Sequence, residues 1–204
     1  MGMLAYNLVS FRRFLRSCLS VILKRDSILV VMNVFYFGSI VVGAFLAYES
    51  SFPFYREPVV ESGTIYELGD SVWLGVNIFV SNLFLSAFFF TTLTGLVFFG
   101  LPLGFLFLRA MLWGTMLDQL STSQFLVALP TLVLEGEAYV FASLCGIVLG
   151  LSWLKPTWVF EGESLSRWNS LKMALKECLH VYVFAALLLF VAAVVEVATL
   201  FIFG

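Results

Sequence analysis

The sequence predicts an all-α fold, a polytopic bundle of about five transmembrane helices. Three observations carry that expectation. Of the 204 residues 61% are apolar. Only 12% are charged, about half the usual share in a soluble domain. Charge is also absent from several runs of about 20 residues, the length a helix needs to cross a hydrocarbon core roughly 30 Å thick. A mean hydropathy of +1.02 excludes disorder, a coiled coil and an ordinary soluble enzyme. The net charge of −2 and the isoelectric point near 5.4 argue against nucleic acid as a partner.

Residues 1–27 read as a cytoplasmic amphipathic helix. Arg12, Arg13, Arg16, Lys24 and Arg25 alternate there with Phe11, Phe14, Leu15, Leu19 and Ile22, a pattern suited to an anionic headgroup layer or to the underside of a bundle. Residues 28–204 read as a single transmembrane domain. Its first span is 28–48, free of charge. Residues 71–117 carry one charge, Arg109, and as a single helix would measure about 70 Å, so they must cross twice. Spans at 72–93 and 97–117 follow, with the break expected near Thr94–Gly95 and the Gly100–Pro102 stretch read as a kink or a late helix start. The fourth span is 125–154 and the fifth 181–203, preceded by a short amphipathic connector over 166–180.

Charges outside the spans set an orientation. All basic residues except Arg56 and Arg109 fall in 1–27 or 155–180, which five alternating helices place on one side. Cytoplasmic loops carry the excess of Lys and Arg, so the N-terminus is expected in the cytoplasm and the protein in the cell membrane as a multi-pass chain. No cleavable leader is expected, because the first apolar run starts at residue 28 and lacks a small-residue cleavage pattern.

Four ionisable residues interrupt the spans: Arg109, Glu135, Glu137 and Glu196. A charge near the membrane centre costs about 2.5–3.5 kcal/mol on insertion scales, so each needs a partner, water or neutralisation. Their similar depths suggest one buried cluster with Arg109 as counter-ion. One arginine cannot neutralise three carboxylates, so at least one Glu is expected to be protonated or to hold a cation. If a metal binds at all, Glu135, Glu137 or Glu196 would be its ligands; otherwise no cofactor is expected. Ala138, Ala142, Gly146 and Gly150 form a small-residue stripe at spacing four, a packing face for another helix. Glu135 lies about 60° from that stripe and Glu137 nearly opposite Glu135. A similar face, Ala185, Ala192, Glu196 and Thr199, lies on the fifth span. Asn77, Ser81 and Asn82 add polarity to the second, where interhelical hydrogen bonding is the ordinary reading and a pore lining the sharper one.

Catalytic patterns are missing: there is no Gly-x-Ser-x-Gly, His-Glu-x-x-His or phosphate-binding loop, and the three Asp residues lie outside the spans. Cys18, Cys145 and Cys178 match no metal or disulfide spacing. No enzymatic activity is expected.

The fourth and fifth spans resemble the stage II sporulation protein M family of bacterial and archaeal membrane proteins. The family pattern Pro-His-Gly-x-x-Glu, with a Gly eleven positions after the Glu, is met here by Pro130, Glu135 and Gly146. Thr131 and Leu132 replace its His-Gly, and Glu137 stands where a Pro is typical. The family's closing stretch is matched by Val-Ala-Ala-Val-Val-Glu-Val-Ala-Thr around Glu196, while Asn77 or Asn82 and Gly114 agree loosely. The resemblance implies a non-enzymatic integral membrane scaffold or complex component, acting in sporulating relatives in engulfment, alongside peptidoglycan-degrading proteins. The alternative is a small transporter or permease for protons, cations or a small solute that uses the Arg/Glu cluster. Partners expected are the lipid bilayer, a membrane-protein complex and a second copy of the chain. The homodimer is suggested by the two small-residue faces and the divergent orientation of Glu137.

Overall fold

A computed structural model describes residues 16–50, 68–117, 120–160 and 165–203. All regular structure among them is helical: α1 (16–23), α2 (Asp26–Ser50), α3 (Leu68–Val80), the π-helical segment π1 (Ser81–Leu93), α4 (Thr94–Val97), α5 (Leu101–Leu117), α6 (Thr122–Leu154), α7 (Pro156–Val159) and α8 (Arg167–Phe203). Among the described residues four continuous runs are long and apolar enough to cross a membrane: Asp26–Glu49, Ser71–Val97, Thr122–Leu154 and Arg167–Thr199. The third expected span, 97–117, survives as α5, apolar but only 17 residues long, about 25 Å of helix.

Each boundary has a local cause. A turn at Lys24–Arg25 separates α1 from α2, and Asp26 opens α2 with its carboxylate accepting from the Ser27 amide at 2.6 Å. The second span runs unbroken through Thr94 and Gly95, which corrects the expected break. Thr94 donates its hydroxyl back to the Phe90 carbonyl at 2.7 Å and stays helical. The chain turns instead at 98–100, where Phe98 is extended (φ −153°, ψ 122°). Pro102 explains the position: its ring would clash with the carbonyl four residues back, so a helix can begin around it but not run through it. At the start of α6, Ser121 and Gln124 form a reciprocal cap, the Gln124 side chain accepting from the Ser121 amide at 2.9 Å. Pro156 ends α6. The connector at 166–180 and the span at 181–203 are one 37-residue helix, α8, because no Gly or Pro interrupts that stretch.

α6 is the central helix. Its most apolar stretch is 72% buried, against 33% for the corresponding stretches of α2 and α8. It packs on α8, π1, α4, α5 and α2, while α2 also lies along α5 and α3 along α8. The outer faces are apolar: Val30, Val31, Val34, Val41 and Val42 of α2 are all exposed, as a lipid-facing surface requires. Polar side chains inside the helices turn back on their own backbones, as Asn33 does to the Leu29 carbonyl and Ser39 to that of Phe35. The chain is a multi-pass membrane protein.

The amphipathic N-terminal segment is described only from residue 16. There α1 packs under the bundle, with Cys18 buried and Val21 and Ile22 against the core. Burial pushes the Cys18 thiol above its ordinary pKa. Arg12 and Arg13 lie outside the described residues. At this end Arg25 pairs with Glu177 of α8 at 2.7 Å, and Lys24 reaches the same carboxylate at 3.6 Å.

Candidate functional site

The site begins with an ion pair. Arg109, midway along α5, donates from one terminal nitrogen to Glu135 of α6 at 3.1 Å. The other Glu135 oxygen accepts from the Asn82 carboxamide of π1. Asn82 in turn accepts from the Tyr139 hydroxyl at 3.2 Å. Tyr139, one turn beyond Glu135 on the same helix, lays its ring under the Arg109 guanidinium, 4.8 Å from its centroid. Glu135 is only 3% exposed, so the arginine and the carboxamide together supply what water would otherwise give its carboxylate. The buried Tyr36 of α2 closes the cluster from behind; its hydroxyl and the Arg109 Nε are both buried without a hydrogen-bond partner.

Below this cluster the bundle is shut. An added Cβ on Gly95 would run into the backbone of Gly146, and one on Gly150 into the carbonyl of Gly95. Pro102 and the Thr91 carbonyl stand over Gly146, 2.6 and 2.9 Å from where its Cβ would be. Ala138 and Ala142 continue the same buried face. Thr92 crosses it with a hydrogen bond to the Ala142 carbonyl at 2.8 Å and one shared with the Tyr182 hydroxyl at 2.5 Å. The stripe Ala138–Ala142–Gly146–Gly150 is thus filled by the chain's own π1, α4 and α5. Ala185 and Ala192 of α8 are likewise buried within the bundle. Of the two small-residue faces behind the homodimer expectation, the first is occupied inside one chain; the second is buried at Ala185 and Ala192, while Glu196 and Thr199 are half-buried.

Above the cluster the bundle opens. α3 leans on α8 while α5 stays with α2 and α6, and a half-open cavity of about 510 Å³ lies between them. Asn77, Ile78, Ser81 and Asn82 line one wall and Arg109, Leu112, Trp113 and Met116 another, with Glu135 at the floor and Glu196 contributed by α8. Met116 is the penultimate residue of α5, so the cavity reaches from mid-helix to the helix end, about 10 Å.

The four ionisable residues therefore divide. Arg109, Glu135 and Glu196 share the cavity; Glu137 is directed to the other side of α6, half-buried beside Asn33 of α2. Asn77 and Ser81 line the cavity without joining the hydrogen-bonded cluster; Asn82 does both. Among the described residues, no three His, Cys, Asp or Glu side chains converge as metal ligands would. Tyr139, Tyr36 and Trp113 join the site although the charge pattern does not point to them. The spacing of four from Glu135 is a signal for Tyr139; nothing local marks Tyr36. Thr131 and Leu132, at the family's His-Gly positions, are both buried in α6.

A bundle of apolar helices around an Arg–Glu pair whose carboxylate is buried defines an integral membrane protein with a polar cavity in one half. The chain belongs to the stage II sporulation protein M family, whose model matches residues 29–199. That match takes in every residue of the cavity. Among curated proteins and solved structures none matches the chain.

Proposed function

We propose that the protein is a non-enzymatic component of a larger membrane assembly, oriented with α1, α7 and the start of α8 in the cytoplasm. The observation that carries this reading is the sealed half. Gly95, Gly146 and Gly150 bring two backbones together beneath the cavity, and Pro102 fills the remaining notch. A carrier must expose its site to both sides in turn. A backbone-on-backbone crossing is poorly suited to that, because close-packed interiors do not deform continuously. Family membership supports the same reading. In sporulating relatives the component serves engulfment and peptidoglycan remodelling; the assembly role alone is carried over to this chain. The orientation is supported by Lys24, Arg25, Lys155 and Lys172 gathering at one end.

The second reading, a transporter or permease for protons, cations or a small solute, is favoured by one observation: Arg109, Glu135 and Glu196 around a cavity open at one end. One pair of experiments separates the two. Solubilised in mild detergent from its native membranes, the protein should migrate as a complex larger than its own 22.8 kDa. Reconstituted alone, it should pass no protons or monovalent cations. Flux through purified protein, abolished by Glu135→Gln, would overturn the assembly reading and establish the second.

A further inference from the structure

The end of the bundle built by α1, α7 and the start of α8 carries charge and apolar surface that the cavity does not use. Segments 1–27 and 155–180 hold nine basic residues against four acidic ones. Glu177 is already engaged, by Arg25 at 2.7 Å and Lys24 at 3.6 Å. Arg16, Lys155, Arg167, Lys172 and Lys176 are exposed, and among the described residues none of them forms an ion pair. Two of these lysines lie over exposed tryptophans. Lys155 Nζ is 4.0 Å from the Trp158 ring centre, and Lys172 Nζ is 5.4 Å from that of Trp168. Tryptophan and lysine are the side chains that settle at a membrane's headgroup layer.

The level of the two pairs follows from α6 and α8. Cys145 and Cys178 each turn their thiol to the other's carbonyl, at 3.9 and 3.5 Å, so these positions are level on the two antiparallel helices. Leu154 and Asn169, nine residues nearer this end on each helix, are therefore level too, and the Lys–Trp pairs flank them. The α8 pair belongs to a longer stripe. Trp168, Lys172, Leu175 and Leu179 follow at spacings of four, three and four, so they share one face of the helix. All four are exposed, Trp168 by 59%, Leu175 by 52% and Leu179 by 65%. At 37 residues α8 is about 55 Å long, against a hydrocarbon core of roughly 30 Å, and apart from Glu196 its charges fall between Arg167 and Glu177. The stripe thus crosses from the headgroup layer at Trp168 and Lys172 into the hydrocarbon at Leu179. A free anion would match only its charged half; a lipid matches both.

We propose that this stripe is a binding site for an anionic phospholipid, its headgroup on Lys172 and its acyl chain along Leu175 and Leu179, with Lys155 of α7 adding charge at the same level. The site stands apart from the assembly reading, because lipid binding is measured on the purified chain.

The test offers the full chain, in detergent, equimolar phosphatidylglycerol and phosphatidylcholine, and reads the retained lipid by native mass spectrometry. Phosphatidylglycerol should be retained selectively. Lys172→Gln should lower its affinity about fivefold, and the double variant Lys155→Gln, Lys172→Gln at least about tenfold; Lys172→Arg should preserve it. Inorganic phosphate at about 10 mM should leave the lipid in place, since it offers nothing to Leu175 and Leu179. In native membranes, a photoreactive side chain in place of Leu175 should capture phospholipid. Equal retention of the two lipids, unaltered selectivity in the double variant, displacement by phosphate, or capture of a polypeptide at position 175 would overturn the proposal.

Discussion

The two halves of this bundle solve the problem of helix association in lipid by opposite means. In the closed half, α4 and α6 meet where Gly95, Gly146 and Gly150 remove every side chain between them, and contact is made by shape. In the open half, α3 and α5 stand apart, and cohesion comes from Arg109, Glu135, Asn82 and Tyr139. Lipid offers no hydrophobic drive for helices to associate, so one half relies on close packing and the other on charge. The difference teaches where polarity is tolerated: a charged cluster can sit above a packed crossing because that crossing already fixes the helices it spans.

The largest effect should come from Arg109→Leu. Glu135 would remain buried with its counter-ion gone, a loss of about 3–5 kcal/mol. Thermal unfolding in detergent should show it, and the double variant Arg109→Leu, Glu135→Leu should recover most of it. If the single variant is as stable as the parent, the open half is not held by charge. Next, Gly95→Ala should cost about 1–3 kcal/mol, because the new methyl meets the Gly146 backbone, which cannot rotate away. Combined with Arg109→Leu, its effect should add without coupling if the two halves are independent; an interaction above about 0.5 kcal/mol would merge them.

Glu177→Gln at the Arg25 end should cost about 1–3 kcal/mol, since the two side chains are only 18% and 10% exposed and Arg25 loses its charged partner; melting in low and high salt should differ little, because a pair so shielded is weakly screened. The smallest effect belongs to Gly38→Ala. Nothing lies within 4 Å of its added carbon, so the gain in helix propensity should leave stability level or raised by about 0.5–1 kcal/mol. A Gly38→Ala variant as damaged as Gly95→Ala would show that close approach is not what singles out Gly95.

Much of this was legible along the chain because lipid imposes one rule, that apolar helical length matches the thickness of the membrane. That rule locates α2, the second span, α6 and α8, and it isolates Arg109, Glu135, Glu137 and Glu196 as the residues needing an explanation. Helical phase separates Glu135 from Glu137, the one facing the Arg109 cavity and the other Asn33. What stayed out of reach depends on neighbours distant in sequence. The turn falls at Phe98–Gly100, just before Pro102, and the helix runs on through Thr94–Gly95, where Gly95 meets Gly146 and Gly150; no periodicity within the second span records that contact. The Ala138–Gly150 stripe announces a close partner but not which one. Its partner is the chain's own π1, α4 and α5, not a second copy.

Composition and hydropathy thus determined the environment, the helices and the short roster of charges, because each depends on the exchange of residues between water and lipid. The pattern of Pro130, Glu135 and Gly146, on which the resemblance to the family rests, belongs to that same local record. Only the tertiary structure decided which charges meet. Whether Arg109 reaches Glu135 or Glu196, and whether Asn77 and Ser81 line a cavity or a contact, depends on how α3, α5 and α8 lean about α6. Those angles are set by packing among all the helices at once, a sum that no single segment contains.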